Sequence, residues 1–147
     1  MDLNENLKMK GELSIVLRAE DGTVKKSIHV PNLVVTVGKN YIASRIVGTA
    51  SNIMSHMAIG TGTGTPAAGD TTLGTEAGRV VLASGTSSTN TVTYTATFPA
   101  GTGTGAITEA GVFNASSAGT LLCRTTFPVV NKAAGDSIAI TWVVTVS

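Results

Sequence analysis

Apolar and polar residues alternate along this chain in short segments, and the alternation is strictest in TVTYTATF at 91–98. There Val92, Tyr94, Ala96 and Phe98 fall on one face of an extended strand, and Thr91, Thr93, Thr95 and Thr97 on the other. SIAITWVVTV at 137–146 places Ile138, Ile140, Trp142, Val144 and Val146 opposite Ser137, Ala139, Thr141, Val143 and Thr145. Its second face is nearly apolar as well, which predicts burial on both sides. Strand signals also mark 11–18, 23–30, 33–37, 54–60, 78–84, 106–114 and 120–130. Nine β-rich segments predict an all-β domain, a two-sheet β-sandwich of jelly-roll or Greek-key type. Asp21-Gly22 between two alternating runs predicts a hairpin over 11–30. The period changes only near 38–47, where Tyr41, Ile42, Arg45 and Ile46 recur at helical spacing and Gly48 is placed to close one short helix. Trp142, Ile140, Phe113, Phe127, Tyr94 and Phe98 are the predicted core, because so few aromatic residues are not spared for solvent.

Two stretches lack apolar periodicity: GTGTGTPAAGDTTLGT at 60–75 and AGTGTGA at 100–106. Strands flank both closely, so they read as ordered surface loops of one domain, 11–147. The polar start, residues 1–10, belongs to no periodic pattern and reads as an N-terminal arm. An arm of this kind is expected to lie against another subunit.

Charged residues make up 13% of the 147 residues, against about 25% in an ordinary soluble domain, and the formal charge is +1. So neutral a surface gives little protection against association, which favours a homo-oligomer, dimer or trimer. Neither sign of charge forms a run, so no nucleic-acid partner is expected. No apolar run approaches the roughly 18 residues of a membrane span, and MDLNENLKMK lacks the apolar centre of a signal peptide. No membrane partner is expected, and synthesis is expected in a cytoplasm. Cys123 is the one cysteine, which excludes an intramolecular disulfide and a multi-cysteine zinc site.

Candidate chemistry is sparse. The glycines of Gly60-Thr61-Gly62-Thr63-Gly64 invite an anion-binding reading, but Thr65 stands where a dinucleotide fingerprint needs glycine. His29 and His56 have no companions at metal-ligand spacing. Cys123 reads as a small buried hydrophobe. Glu76, Arg79, Glu109 and Arg124 lie amid apolar strands and must be paired, at a sheet edge or at an interface. No catalytic, cofactor or metal residue is assigned, and the chain reads as a non-enzyme.

The IGTGT loop at 59–63, ITEAGVFN at 107–114, the small-residue turn at 115–119 and RTTFPVVNKAAGDSIAITW at 124–142 resemble a family of small virion structural proteins of tailed bacteriophages. The resemblance spans about 54–146 and covers capsid decoration (cement) proteins and proteins of tail fibres or baseplates. It implies a virion component without catalytic residues. A compact domain with neither sequence repeats nor a coiled coil favours capsid decoration over a tail-fibre, head-fibre or baseplate role. The implied partner is the major capsid protein and the implied location the outer capsid surface. A carbohydrate-binding module is the alternative of a different class. The candidate contact residues are Met1, Asp2, Leu3, Asn4, Glu5, Asn6 and Leu7 of the arm, Gly60, Thr61, Gly62, Thr63, Gly64, Thr65 and Pro66 of the long loop, and Gly101, Thr102 and Gly103 of the short one.

Overall fold

The computed structural model describes every residue except Met1, Asp2, Asn4, Ala50 and Ser51. Among the described residues, nine strands and one helix follow in the order β1 (Met9–Arg18), β2 (Val24–Val34), α1 (Thr36–Ile46), β3 (His56–Gly60), β4 (Glu76–Val81), β5 (Ser84–Ser88), β6 (Thr91–Phe98), β7 (Gly105–Phe113), β8 (Leu121–Lys132) and β9 (Ser137–Val146). All pairings are antiparallel, and the spatial order is β4-β3-β7-β8-β2-β1-β9-β6-β5.

That order forces the sheet to curl. β4 and β5 stand at opposite edges, yet only Leu82 and Ala83 separate them in sequence. Nine flat strands at about 4.8 Å spacing would hold the edges roughly 40 Å apart, whereas two connecting residues reach only about 10 Å. The edges therefore meet. Leu82 N–H donates to the Ser55 carbonyl (2.9 Å) and Ala83 N–H to the Thr95 carbonyl (2.8 Å), fastening this corner to both halves. The opposite corner lies in β2, which pairs with β1 as far as Asn32 and with β8 only through Leu33 and Val34. Pro31 sits at that change of partner, where a residue without an N–H costs the ladder nothing.

The curl encloses one main core. Leu13, Ile15 and Leu17 of β1, Phe98 of β6, and Ile138, Ile140, Trp142 and Val144 of β9 face Met57, Ile59, Ile107, Val112, Cys123 and Val130 from the other half. Of the predicted core residues, Trp142, Phe98, Phe127 and Ile140 lie in it, Phe113 is buried in a second small cluster on the other side of the sheet, and Tyr94 is half-buried. The second face of β9 is not buried as its composition predicts: Thr141 is exposed and Ala139 and Val143 are half-exposed, because no layer covers that side.

The hairpin and the helix lie where the pattern places them. The helix begins two residues early, at Thr36, because the segment 33–37 is not a strand of its own: Leu33 and Val34 end β2, and Val35 is the helix N-cap. No side chain caps that end; Thr36 N–H donates to the Ala68 carbonyl of the long loop instead. Gly48 closes the other end at φ 73°, with Gly48 N–H to Arg45 O and Thr49 N–H to Ser44 O, the paired bonds of a Schellman motif. Strand β5, SGTSS, carries no apolar residue and gives no signal in the sequence.

Candidate functional site

Glu109 and Arg124 occupy neighbouring strands, β7 and β8, on the side of the sheet away from the main core. Alternation along β7 sends Ala110 and Val112 inward and leaves Glu109, Gly111 and Phe113 outward. Two charged side chains on an open face would be solvated. Here both are buried, at 0% and 3% exposure, because the loop 60–75 lies across them. Leu73 of that loop packs into a second small core with Val35, Ala58, Phe113 and Leu121.

The Glu109 carboxylate binds the loop at three points. Its Oε1 accepts from Gly62 N–H (3.0 Å) and Thr75 N–H (2.7 Å), and its Oε2 from Gly74 N–H (2.9 Å). Arg124 closes the carboxylate from the other side, donating through Nη2 (2.7 Å) and Nε (3.2 Å) to Oε2. The same guanidinium reaches on to Asp70 Oδ2 (2.8 Å) and the Gly64 carbonyl (3.1 Å). Thr108 Oγ1 adds a bond to the Gly62 carbonyl (2.7 Å). Burial alone would push Glu109 up, but the N–H of Thr75, the Arg124 guanidinium and the N–H groups of Gly74 and Gly62 outweigh it and hold the carboxyl below its ordinary range.

Two of the glycines, Gly60 and Gly62, are a consequence of this clamp. A Cβ on Gly62 would lie 2.6 Å from Glu109 Oε1, and one on Gly60 would meet the same oxygen at 2.5 Å and the Thr75 carbonyl. Gly60 and Gly62 let backbone approach a carboxylate that belongs to the protein itself. The run's anion-binding capacity is thus spent internally.

Two further fastenings hold neighbouring loops. Arg79 on β4 pairs with Glu76 (2.7 Å), lies 3.8 Å over the Phe113 ring, and donates through Nη1 to the Ala115 and Ala118 carbonyls, both at 2.9 Å. This is the small-residue turn after β7. Lys132, buried at 2% exposure, donates to the Pro99 carbonyl (2.9 Å), and burial holds its ammonium below the usual lysine range. Asp136 accepts from Lys25 Nζ (2.7 Å) and Ala133 N–H (2.9 Å), which together hold it below the ordinary carboxylate range.

The structure brings the two candidate loops together at one end of the sheet. Gly103, at φ 68°, sits against Ile59, and a Cβ on Gly105 would lie 3.9 Å from the Thr61 methyl. Thr63, Gly64, Thr65 and Gly101 are exposed, Thr61, Pro66 and Thr102 half-buried, and Gly60, Gly62 and Gly103 buried within the domain. The arm is at the opposite end. Lys8 and Ser147 exchange backbone bonds (2.6 and 2.8 Å) that prolong the β1–β9 ladder, and Leu3, Glu5, Asn6 and Leu7 are exposed. Met1, Asp2 and Asn4 lie outside the described residues.

Sequence reasoning leaves Glu76, Arg79, Glu109 and Arg124 to be paired, at a sheet edge or at an interface, and the structure pairs them; Asp70, Lys132 and Asp136 go unremarked in the sequence. It also leaves His29 isolated, whereas cross-strand register sets its ring between Ser14 Oγ and Glu12 Oε2, both at 3.0 Å. That cluster is open to solvent, with Glu12 and His29 side chains each 60% exposed. Among the described residues no group of three metal-ligating side chains converges, and no helix is long and apolar enough to cross a membrane. Comparison with protein-family models, curated protein sequences and solved structures returns no match for this chain.

Proposed function

We propose that this protein is a non-enzymatic structural component of a tailed-bacteriophage virion, a capsid decoration protein that sits on the outer head surface as a symmetric homo-oligomer and bridges neighbouring major capsid proteins. One observation carries the reading. Three of the four segments that resemble the virion family, 59–63, 107–114 and 124–142, are joined by the Glu109–Arg124 clamp: Gly62, Glu109 and Arg124 come one from each. Distant parts of the resemblance thus meet in one clamp. A loop held by a carboxylate and a guanidinium has lost its conformational entropy before any partner arrives, which lowers the cost of docking. Non-consecutive neighbours, with β9 between β1 and β6, support reading the curled sheet as a Greek-key or jelly-roll sandwich.

Repeated weak contacts suit a decoration protein, since an oligomer that engages several sites at once gains affinity by effective concentration. Binding only the assembled lattice also stabilises it by mass action. Purified heads are thus expected to need a higher temperature to disrupt when the protein is added. Reconstruction of decorated particles tests the location. Density repeated over the outer shell supports the reading; density confined to the tail or to the unique vertex overturns it in favour of a fibre or baseplate role.

A carbohydrate-binding role has one observation in its favour. Tyr41 and Tyr94, both half-exposed, line a shallow groove with Thr86 and Ser87, an aromatic surface bordered by hydroxyls. Binding to a host-surface glycan array that Tyr94→Ala abolishes would select this reading over the capsid.

A further inference from the structure

The arm and the helix leave an apolar groove with unpaired charge around it. Its walls are Leu7, Lys8 and Lys10 on one side and Lys39, Ile42 and Ile46 on the other. Ile46 is 79% exposed and Leu7 75%, and the next residue after the helix, Val47, is 73% exposed, so the end of α1 presents apolar surface that its own domain does not cover. Among the described residues no carboxylate pairs with Lys8, Lys10 or Lys39.

The same chain carries the complementary chemistry in the residues before the groove. DLNEN at 2–6 sets apolar Leu3 between acidic Asp2 and Glu5. Leu3 is 82% exposed, and Glu5 has no ion-pair partner among the described residues. An acidic, leucine-bearing arm beside a basic, isoleucine-lined groove, with Glu5 and the lysines unpaired among the described residues, is the pattern of a reciprocal exchange. Reach allows it: an extended arm of six residues spans up to roughly 20 Å, and α1 is only about 16 Å long.

The geometry points to a second copy of this chain as the occupant of the groove: the arm of one copy lies along α1 of the next, Leu3 against Ile42 and Ile46 and Glu5 among the three lysines, and the exchange closes into a symmetric ring. It rests on the oligomer in the proposed function and not on the capsid. Closed symmetry satisfies every arm and every groove, whereas an open chain would leave one of each bare.

The buried thiol of Cys123, held protonated far above its ordinary range by desolvation, leaves the chain free for engineered cysteines. In the full-length protein, Glu5→Cys with Ala43→Cys is expected to form an interchain disulfide on mild oxidation, seen as a dimer or larger species on a non-reducing gel. Sedimentation of the wild type is expected to show one oligomer. Ile46→Asp, a change at an exposed position, should weaken it at least tenfold with the denaturation midpoint unchanged. Glu5→Lys should weaken it too, and adding Lys39→Glu should restore part of the loss. A wild type that is monomeric at all concentrations, a disulfide that the double variant forms within one chain, or an oligomer indifferent to Ile46→Asp overturns the exchange. Head binding, measured separately, keeps the two readings apart: a monomer that still decorates heads sinks the exchange alone, and an arm-exchanged oligomer that ignores heads sinks the capsid reading alone.

Discussion

At Glu109 three backbone N–H groups and a guanidinium surround one carboxylate, and the sign of the balance can be read from its titration. The group is depressed in the fold, so its contribution is fully present above the unfolded-chain value near pH 4 and is lost as pH falls through the lower folded value. Asp136, depressed by Lys25 and Ala133 N–H, acts in the same direction. Glu109→Gln removes the charge and leaves Arg124 buried with Asp70 as its remaining carboxylate, at an expected cost of about 3–5 kcal/mol. Urea denaturation at neutral pH measures that loss. The same variant should lose less stability than the wild type between pH 5 and pH 2, since the titrating group is gone; an acid limb of unchanged depth would show that the clamp contributes nothing to it.

The loop 61–75 carries neither helix nor strand and nonetheless has fixed contacts along its length. Gly62 and Gly74 reach Glu109, Asp70 and Gly64 reach Arg124, Ala68 caps α1, and Leu73 fills the small core. Part of its low-complexity composition, Gly62 above all, answers the steric demand of the clamp. Two glycine substitutions separate these meanings. Gly62→Ala drives a methyl into Glu109 and should cost well over 1 kcal/mol, with faster amide exchange across 60–75. Gly64→Ala meets nothing within 4 Å and should stay within about 0.5 kcal/mol of the wild type. Equal effects at both positions would mean that the loop is not held as described. In the sequence the loop is legible as long, glycine-rich and flanked by strands; its route over β7 and β8 is not, because the bonds that fix it join residues 34 to 60 positions apart.

At the scale of the whole molecule, the fold depends on the sheet curling until β4 and β5 share a corner, with β9 in the middle of one half as its central strand. Trp142 lies there with no exposure, between Leu13 on β1 and Tyr94 on β6. Trp142→Ala empties the largest side chain of the core and should cost about 3–5 kcal/mol, read as a lowered denaturation midpoint with an unchanged slope. A loss under about 1 kcal/mol would contradict that burial. The seam left between β2 and β8 is bridged by side chains, with Lys26 Nζ on the Val129 carbonyl (2.8 Å) and Lys25 on Asp136. Lysines on an exposed strand edge also discourage a further strand from adding there.

Local pattern by itself determined the all-β class, the 11–30 hairpin, the helix with its closing Gly48, the strands at 91–98 and 137–146, and the need of Glu109 and Arg124 for partners. Each follows from period, turn chemistry or the cost of burying a charge, and those forces act within a few residues. Tertiary structure decided what depends on distant encounters: that LVVTV ends one strand and starts a helix, that SGTSS pairs although it has no apolar face, that one face of β9 stays open, and that a glycine-rich loop is locked by a carboxylate from another strand. Backbone hydrogen bonds across a curled sheet carry no signature in composition, so β5 is set by the strand beside it and not by its own residues.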